Sequence, residues 1–145
     1  MDNIIKLKKL YDYHLTWKDF DTLCCNLTKQ IQESDFCPEY IYGIPRGGLP
    51  LSVVLSNKLG VNMTFDCLDK VKDNKKVLIV DDITDTGETL KRIKNFYQMQ
   101  GKLNWIRFAT LLYRQDSALI PDYYGEILTN SIGNVDYKWI VFPWE

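Results

Sequence analysis

Val77-Leu78-Ile79-Val80-Asp81-Asp82-Ile83-Thr84-Asp85-Thr86-Gly87-Glu88-Thr89 is the stretch that decides the fold. Val77 to Val80 is an unbroken apolar run, as expected of a strand covered on both faces. Two carboxylates, Asp81 and Asp82, emerge at its tip. A small polar loop, Asp81 to Gly87, then leads into a helix reaching about Met99, with Gly101 just past its end. A helix start offers unpaired backbone N–H groups and the positive end of a dipole, which together receive an anion. Thr86 and Thr89 add hydroxyl donors, and Gly87 lets the backbone approach a phosphate closely. Asp81 and Asp82 are acceptors, suited to sugar hydroxyls or to magnesium held through water. The pattern therefore asks for a ligand with a phosphate at one end and a hydroxylated, metal-bound part at the other. A plain helix cap needs neither adjacent carboxylates nor Thr-Gly-x-Thr. The phosphate loops G-x-x-x-x-G-K-[ST] and G-x-G-x-x-G are both absent.

Outward from this stretch, strands and helices alternate. Thr16 is placed to cap a helix whose apolar face is Trp17, Phe20, Leu23, Cys24, Leu27 and Ile31, ending before Ser34. A strand over Tyr40 to Ile44 leads into the loop Pro45-Arg46-Gly47-Gly48. Pro50 stands where a helix begins and Gly60 where it closes. Val61 to Cys67 has a strand pattern, Leu68 to Lys75 is charged and turn-like, and Leu103 to Leu112 forms another strand. Such alternation predicts an α/β fold, a mainly parallel twisted sheet flanked by helices. In such sheets ligands bind at the carboxyl ends of the strands, where the loops 45–48 and 81–89 lie.

Composition narrows the function. The 145 residues fit one domain, 1–145, and 46% hydrophobic residues suffice for one core. Eighteen basic against nineteen acidic residues give a net charge of -1, with no basic field for nucleic acid and no polybasic membrane anchor. No apolar run approaches the ~20 residues of a transmembrane segment. Met1 to Leu10 is interrupted by Lys6, Lys8 and Lys9 and lacks the hydrophobic block of a secretory signal. Cys24, Cys25, Cys37 and Cys67 have neither zinc spacing nor a routine disulfide pattern, which points to reduced thiols and a cytoplasmic location. With His14 the single histidine, acid–base chemistry falls to carboxylates.

The stretch from Val77 to Thr89 resembles the phosphoribosyl-pyrophosphate motif of type I phosphoribosyltransferases: four apolar residues, two acids, a short variable segment, then Thr-Gly-x-Thr. The resemblance implies that fold, with magnesium as cofactor and phosphoribosyl pyrophosphate as donor. It implies that Asp81 and Asp82 bind the ribose 2′ and 3′ hydroxyls and that Asp82 contacts magnesium. Asp85, Thr86, Gly87, Glu88 and Thr89 would cradle the 5′-phosphate. Ile44-Pro45-Arg46-Gly47-Gly48 resembles the family's pyrophosphate loop, with Arg46 and Gly47 as its binding residues and a Pro45–Arg46 peptide that is often cis in the family.

Within the family the chain is most similar to the 6-oxopurine enzymes, xanthine-guanine phosphoribosyltransferase above all. The ending Trp139-Ile140-x-x-Pro143-Trp144-acid carries that likeness. It implies a purine stacked on Trp139, the Ile140 carbonyl accepting from the base edge, and Glu145 at metal-bound pyrophosphate. Trp144 either joins the base site or packs the core. Arg114 stands where the subgroup has a lysine for the purine 6-oxo group. Asp85 is the candidate catalytic residue, as general base or as hydrogen-bond partner of N7. Where the family has a long flexible loop, only Leu68 to Lys75 separates Cys67 from Lys76, a shortened hood. Closure then comes from elsewhere, such as a partner subunit, or water exclusion is poor. The expected activity is transfer of phosphoribosyl to guanine, xanthine or hypoxanthine in purine salvage, by a homodimer or homotetramer. The alternatives are another base, or a non-catalytic regulator that binds the donor or a nucleotide.

Overall fold

The computed structural model describes residues 13–128 and 139–145. Its centre is an all-parallel five-stranded sheet. The strands are β2 (Tyr40–Gly43), β3 (Asn62–Met63), β4 (Val77–Thr84), β5 (Ile106–Arg114) and β6 (Tyr123–Leu128), in the order β3-β2-β4-β5-β6. The apolar run of β4 takes the middle position, with Val77 to Val80 fully buried. A separate two-stranded parallel ladder joins β1 (Tyr13–His14) to β7 (Ile140–Val141).

Helices cover both faces. On one side lie α1 (Trp17–Gln32) and α2 (Gly48–Leu59), packed on Leu78, Val80, Leu111 and Tyr123. Thr16 caps α1 as expected: its hydroxyl accepts from the Asp19 N–H at 3.1 Å, and the Asp19 carboxylate accepts from the Thr16 N–H at 3.0 Å. On the other side, α3 (Cys67–Lys72) and α4 (Glu88–Met99) contribute Cys67, Val71, Leu90 and Tyr97 to a second core with Val77, Ile79 and Phe108.

Four sequence expectations shift. The strand expected over Val61 to Cys67 is only Asn62–Met63, because Asp66 stops it: its carboxylate accepts from the Asp69 N–H at 3.0 Å and starts α3. The segment from Leu68 to Lys75 is a turn only at its end, Asp73–Asn74; α3 takes its first part to Lys72 and buries Cys67 and Val71, four residues apart. The strand expected from Leu103 starts at Ile106, since Leu103–Trp105 forms a 3₁₀ turn. Helix α2 starts at Gly48, before Pro50.

Candidate active site

The two loops expected to carry the chemistry meet at the carboxyl end of β2 and β4. Beyond Gly43 the chain turns through Pro45 to Gly47 into α2, and the Pro45–Arg46 peptide is cis, as the resemblance implied. The turn packs tightly against β4. A methyl group on Gly47 would overlap the Asp82 carboxylate, and one on Gly48 would overlap the Val80 carbonyl. Glycine is therefore required by space at Gly48, where the obstacle is backbone, while a side chain at Gly47 would displace the Asp82 carboxylate. Arg46 is exposed at the mouth of this junction.

Strand β4 runs past the apolar stretch to Thr84, so Asp81 and Asp82 sit on the strand itself rather than in a loop beyond it. The ladder to β5, with Asp81 opposite Thr110 and Ile83 opposite Leu112, holds them more firmly than a loop would. The Asp81 carboxylate accepts from the Asp82 N–H at 2.9 Å, and the Asp82 carboxylate accepts from the Ile83 N–H at 2.8 Å. Burial pushes the Asp81 carboxyl up to about 7, with the neighbouring Asp82 charge adding to the effect. Asp82 is also raised, first by burial and then by the charge of Glu145. Two acids are thus held close together in a site that disfavours their charge.

The loop after β4 is clamped from outside. The Ala118 N–H donates to the Thr86 carbonyl at 2.7 Å, and the Glu88 N–H donates to the Thr86 hydroxyl at 3.3 Å. Gly87 adopts φ 83°, and a Cβ there would lie 2.7 Å from the Leu119 nitrogen. The turn places Asp85, Thr86, Glu88 and Thr89 at the exposed start of α4, whose N-cap residue, Gly87, has no side chain to cap the helix. Backbone N–H groups, a dipole and two threonines thus face outward at one point.

Arg114 ends β5 with its side chain only 10% exposed, and its Nε donates to Asp85 Oδ1 at 2.6 Å. Sequence reading missed this pair. Its signal was faint: an acid in the loop after one strand and a cation at the end of the next, in a sheet whose parallel register makes those ends neighbours.

The tail reaches the acids through Glu145, whose charge bears on Asp82. Trp139 is 65% exposed while Ile140 is buried. β1 takes the carbonyls of Trp139 (from the Tyr13 N–H, 2.8 Å) and Val141 (from the Leu15 N–H, 2.9 Å). Strand alternation then points the Ile140 carbonyl away from β1. Trp144 packs with its ring stacked on Phe142 at 5.0 Å and edge-on to Phe20 at 5.4 Å, which favours core packing of the two readings left open for it. The Glu145 carboxylate accepts from the Phe142 N–H at 3.2 Å, and its charge reaches Asp82.

These acids suit a hard divalent cation. Burial and the charge of Glu145 raise Asp82, and a bound cation would offset the cost of holding its carboxylate charged. Among the described residues no group of three or more His, Cys, Asp or Glu forms a ready-made metal cage. Magnesium needs none, since one or two carboxylates, waters and substrate phosphates complete its shell.

A parallel α/β sheet with twin acids and an anion-binding helix start at its strand ends is the architecture of nucleotide-handling proteins. The chain belongs to the phosphoribosyl transferase domain family, whose model matches residues 67–145. It is a transferase enzyme with the type I phosphoribosyltransferase fold. The purine phosphoribosyltransferase of Pyrococcus horikoshii Ot3 shares 32% identity and a TM-score of 0.73, covering 93% of this chain and 94% of that one. The Helicobacter pylori xanthine-guanine-hypoxanthine phosphoribosyltransferase superposes with the same TM-score, 0.73, at 22% identity, over 92% and 91% of the two chains. The xanthine-guanine phosphoribosyltransferase of Vibrio vulnificus is 24% identical over 147 residues, which span 90% of this chain and 87% of its own. No helix among the described residues is long and apolar enough to cross a membrane.

Proposed function

We propose that the enzyme transfers 5-phosphoribosyl from phosphoribosyl pyrophosphate to a 6-oxopurine, guanine, xanthine or hypoxanthine, and releases pyrophosphate. The observation that carries the reading is the junction of Gly47 with Asp82, which sets an arginine-glycine turn against twin acids beside an anion-binding helix start. A donor with phosphate at both ends of a ribose needs those three features side by side. The family membership and the purine enzymes among its relatives support the same assignment.

In this mechanism Thr86, Gly87, Glu88 and Thr89 hold the 5′-phosphate at the start of α4. Asp81 and Asp82 accept from the ribose hydroxyls. Arg46 and the Gly47 backbone hold the pyrophosphate, for which the guanidinium fork is suited. Asp82 and Glu145 would hold magnesium, which would neutralise the pyrophosphate as a leaving group. The C1–O bond to pyrophosphate breaks, positive charge develops on the ribose ring, and a purine nitrogen supplies the electron pair for the new C1–N bond. Asp85 takes the ring proton or holds N7. Arg114, tied to Asp85, serves the exocyclic oxygen, Trp139 stacks on the ring, and the Ile140 carbonyl accepts from the base edge. The enzyme works in the cytoplasm, where its four free thiols stay reduced.

Calorimetry with phosphoribosyl pyrophosphate and magnesium tests the donor site. Pyrophosphate release with guanine, xanthine, hypoxanthine, adenine and orotate then tests the acceptor. Release with a 6-oxopurine is expected. Release with orotate alone overturns the acceptor assignment. Donor binding with no release for any base overturns the enzyme and leaves a regulator, the reading that the short α3 in place of a long loop favours.

A further inference from the structure

On the face of the sheet covered by α3 and α4, these helices border a cavity of about 500 Å³ floored by Tyr42 and Ile79. Small-molecule sites have volumes of about 300–1,000 Å³. The cavity meets the residues of the transfer site only at Thr89. Its back is fixed across the two helices, where the Tyr97 hydroxyl of α4 donates to Cys67 Sγ of α3 at 3.3 Å. Aromatic rings dominate its wall, and two of them, Phe65 and Phe96, stand in solvent with 80% and 46% of their surface exposed. Exposed apolar residues are ordinary when scattered, but gathered around one concavity they mark a contact surface. Two charged groups complete the lining. Asp66 uses Oδ1 to accept from the Asp69 N–H at 3.0 Å, and its charge bears on both Cys67 and Tyr97. Arg92 has no acid at ion-pair distance among the described residues. Stacking on aromatic side chains asks only for a flat ring with a π-face. The arginine fork and the carboxylate ask in addition for acceptors and donors on the edge of that ring. Guanine carries both sets: O6 and N7 match the fork, and the ring N–H and amino group match the carboxylate. Adenine presents an amino group where the fork needs an oxygen.

We propose that this cavity is a second base site, separate from the transfer site, that takes a guanine nucleoside. Phe65 and Phe96 stack on the ring, Arg92 donates to O6 and N7, and Asp66 accepts from the ring N–H and the amino group. Thr89 borders the cavity from the first turn of α4, whose start holds the donor phosphate in the function proposed above. An occupant therefore regulates donor binding, a consequence that rests on that function, whereas the site itself does not.

Calorimetry of the full chain with guanosine, adenosine, cytidine and free tryptophan, in the absence of donor, tests the site. Guanosine is expected to bind with a dissociation constant below about 1 mM, and adenosine about tenfold more weakly. Arg92→Gln and Phe65→Ala are each expected to weaken guanosine about tenfold. Asp66→Asn keeps the cap on α3 and is expected to narrow the preference for guanosine over adenosine. Phe65, Asp66 and Arg92 are exposed, and circular dichroism of each variant checks that it folds. Trp139→Ala separates the two sites, because it alters the proposed acceptor platform and leaves the cavity as it is. Guanosine binding kept in Trp139→Ala and weakened in Arg92→Gln supports the proposal. The reverse pattern overturns it, since the transfer site then accounts for the binding. So does a wild type that binds no guanosine at about 1 mM, or one that binds tryptophan in its place. Donor affinity with and without guanosine reads the regulation. A change of about fivefold or more is expected in the wild type and not in Arg92→Gln, and no change overturns the regulation. Pyrophosphate release is measured separately, so failure of the cavity and failure of the transferase assignment are distinguishable.

Discussion

Asp81 shows how a proposed binding residue acts against the fold that holds it. Its carboxyl is raised from the ordinary value of 3.8 to about 7, chiefly by burial. Folding therefore favours the protonated form. The stability this contributes is complete below the unfolded value and is lost as pH rises through about 7. Asp81→Asn should stabilise the ligand-free enzyme at about pH 8 by on the order of 1 kcal/mol and give no gain near pH 4. Thermal melts at the two pH values check this, and the same variant should lose donor affinity in calorimetry. Arg114 acts at the same scale but through another residue. With the guanidinium 2.6 Å from Asp85, Arg114→Gln frees that carboxylate. Turnover should fall about 10²-fold, with donor affinity changed little, because the loss belongs to acceptor chemistry. Equal losses in both would assign Arg114 a structural role. The thiols give a simpler check. Burial pushes Cys24 up to about 12 and raises Cys67, whereas Cys25 and Cys37 are exposed. A thiol reagent at mild alkaline pH should label Cys25 and Cys37 rapidly, and Cys24 and Cys67 only on unfolding.

Between elements, the turn from β2 into α2 rests on the end of β4. Gly47→Ala would drive its methyl into the Asp82 carboxylate, so the turn or the acid must move. Overpacking of this kind costs about 1–3 kcal/mol, and donor affinity should fall about tenfold or more in calorimetry. The loops themselves were legible in the sequence because each follows an apolar strand and carries residues that only a tight turn or an anion needs. Helix α3 was not. It has six residues, and what makes it a helix is one Asp66 cap and two buried side chains, Cys67 and Val71, a signal too short to separate from a strand and a turn. The β1–β7 ladder was equally hidden. Two residues from each strand pair across most of the chain, and no local pattern announces so distant a partner. The Arg114–Asp85 pair is non-local in the same way: each residue was singled out, but their contact follows from the register of β5 on β4.

Across the whole molecule, the donor and acceptor halves of the site come from different parts of the chain. On the proposed reading, residues 45–48 and 81–89 build the donor half. In the proposed mechanism Trp139 and Ile140 supply the acceptor platform, fastened through β1 and through Trp144, which packs on Phe142 and Phe20. Trp144→Ala should therefore lower the melting temperature by several degrees, with a loss of about 3 kcal/mol for a buried aromatic discounted for partial exposure. The base constant should rise with it, while donor affinity stays near the wild-type value. The crowded acids have one more consequence. Ligands that relieve their repulsion bind only the folded form and so shift the balance away from open chains. Proteases cut what opens, so the lifetime of the enzyme against digestion should lengthen as magnesium and phosphoribosyl pyrophosphate are supplied. Two carboxylates that destabilise an empty site would in this way tie how long each molecule survives to how much donor there is for it to use.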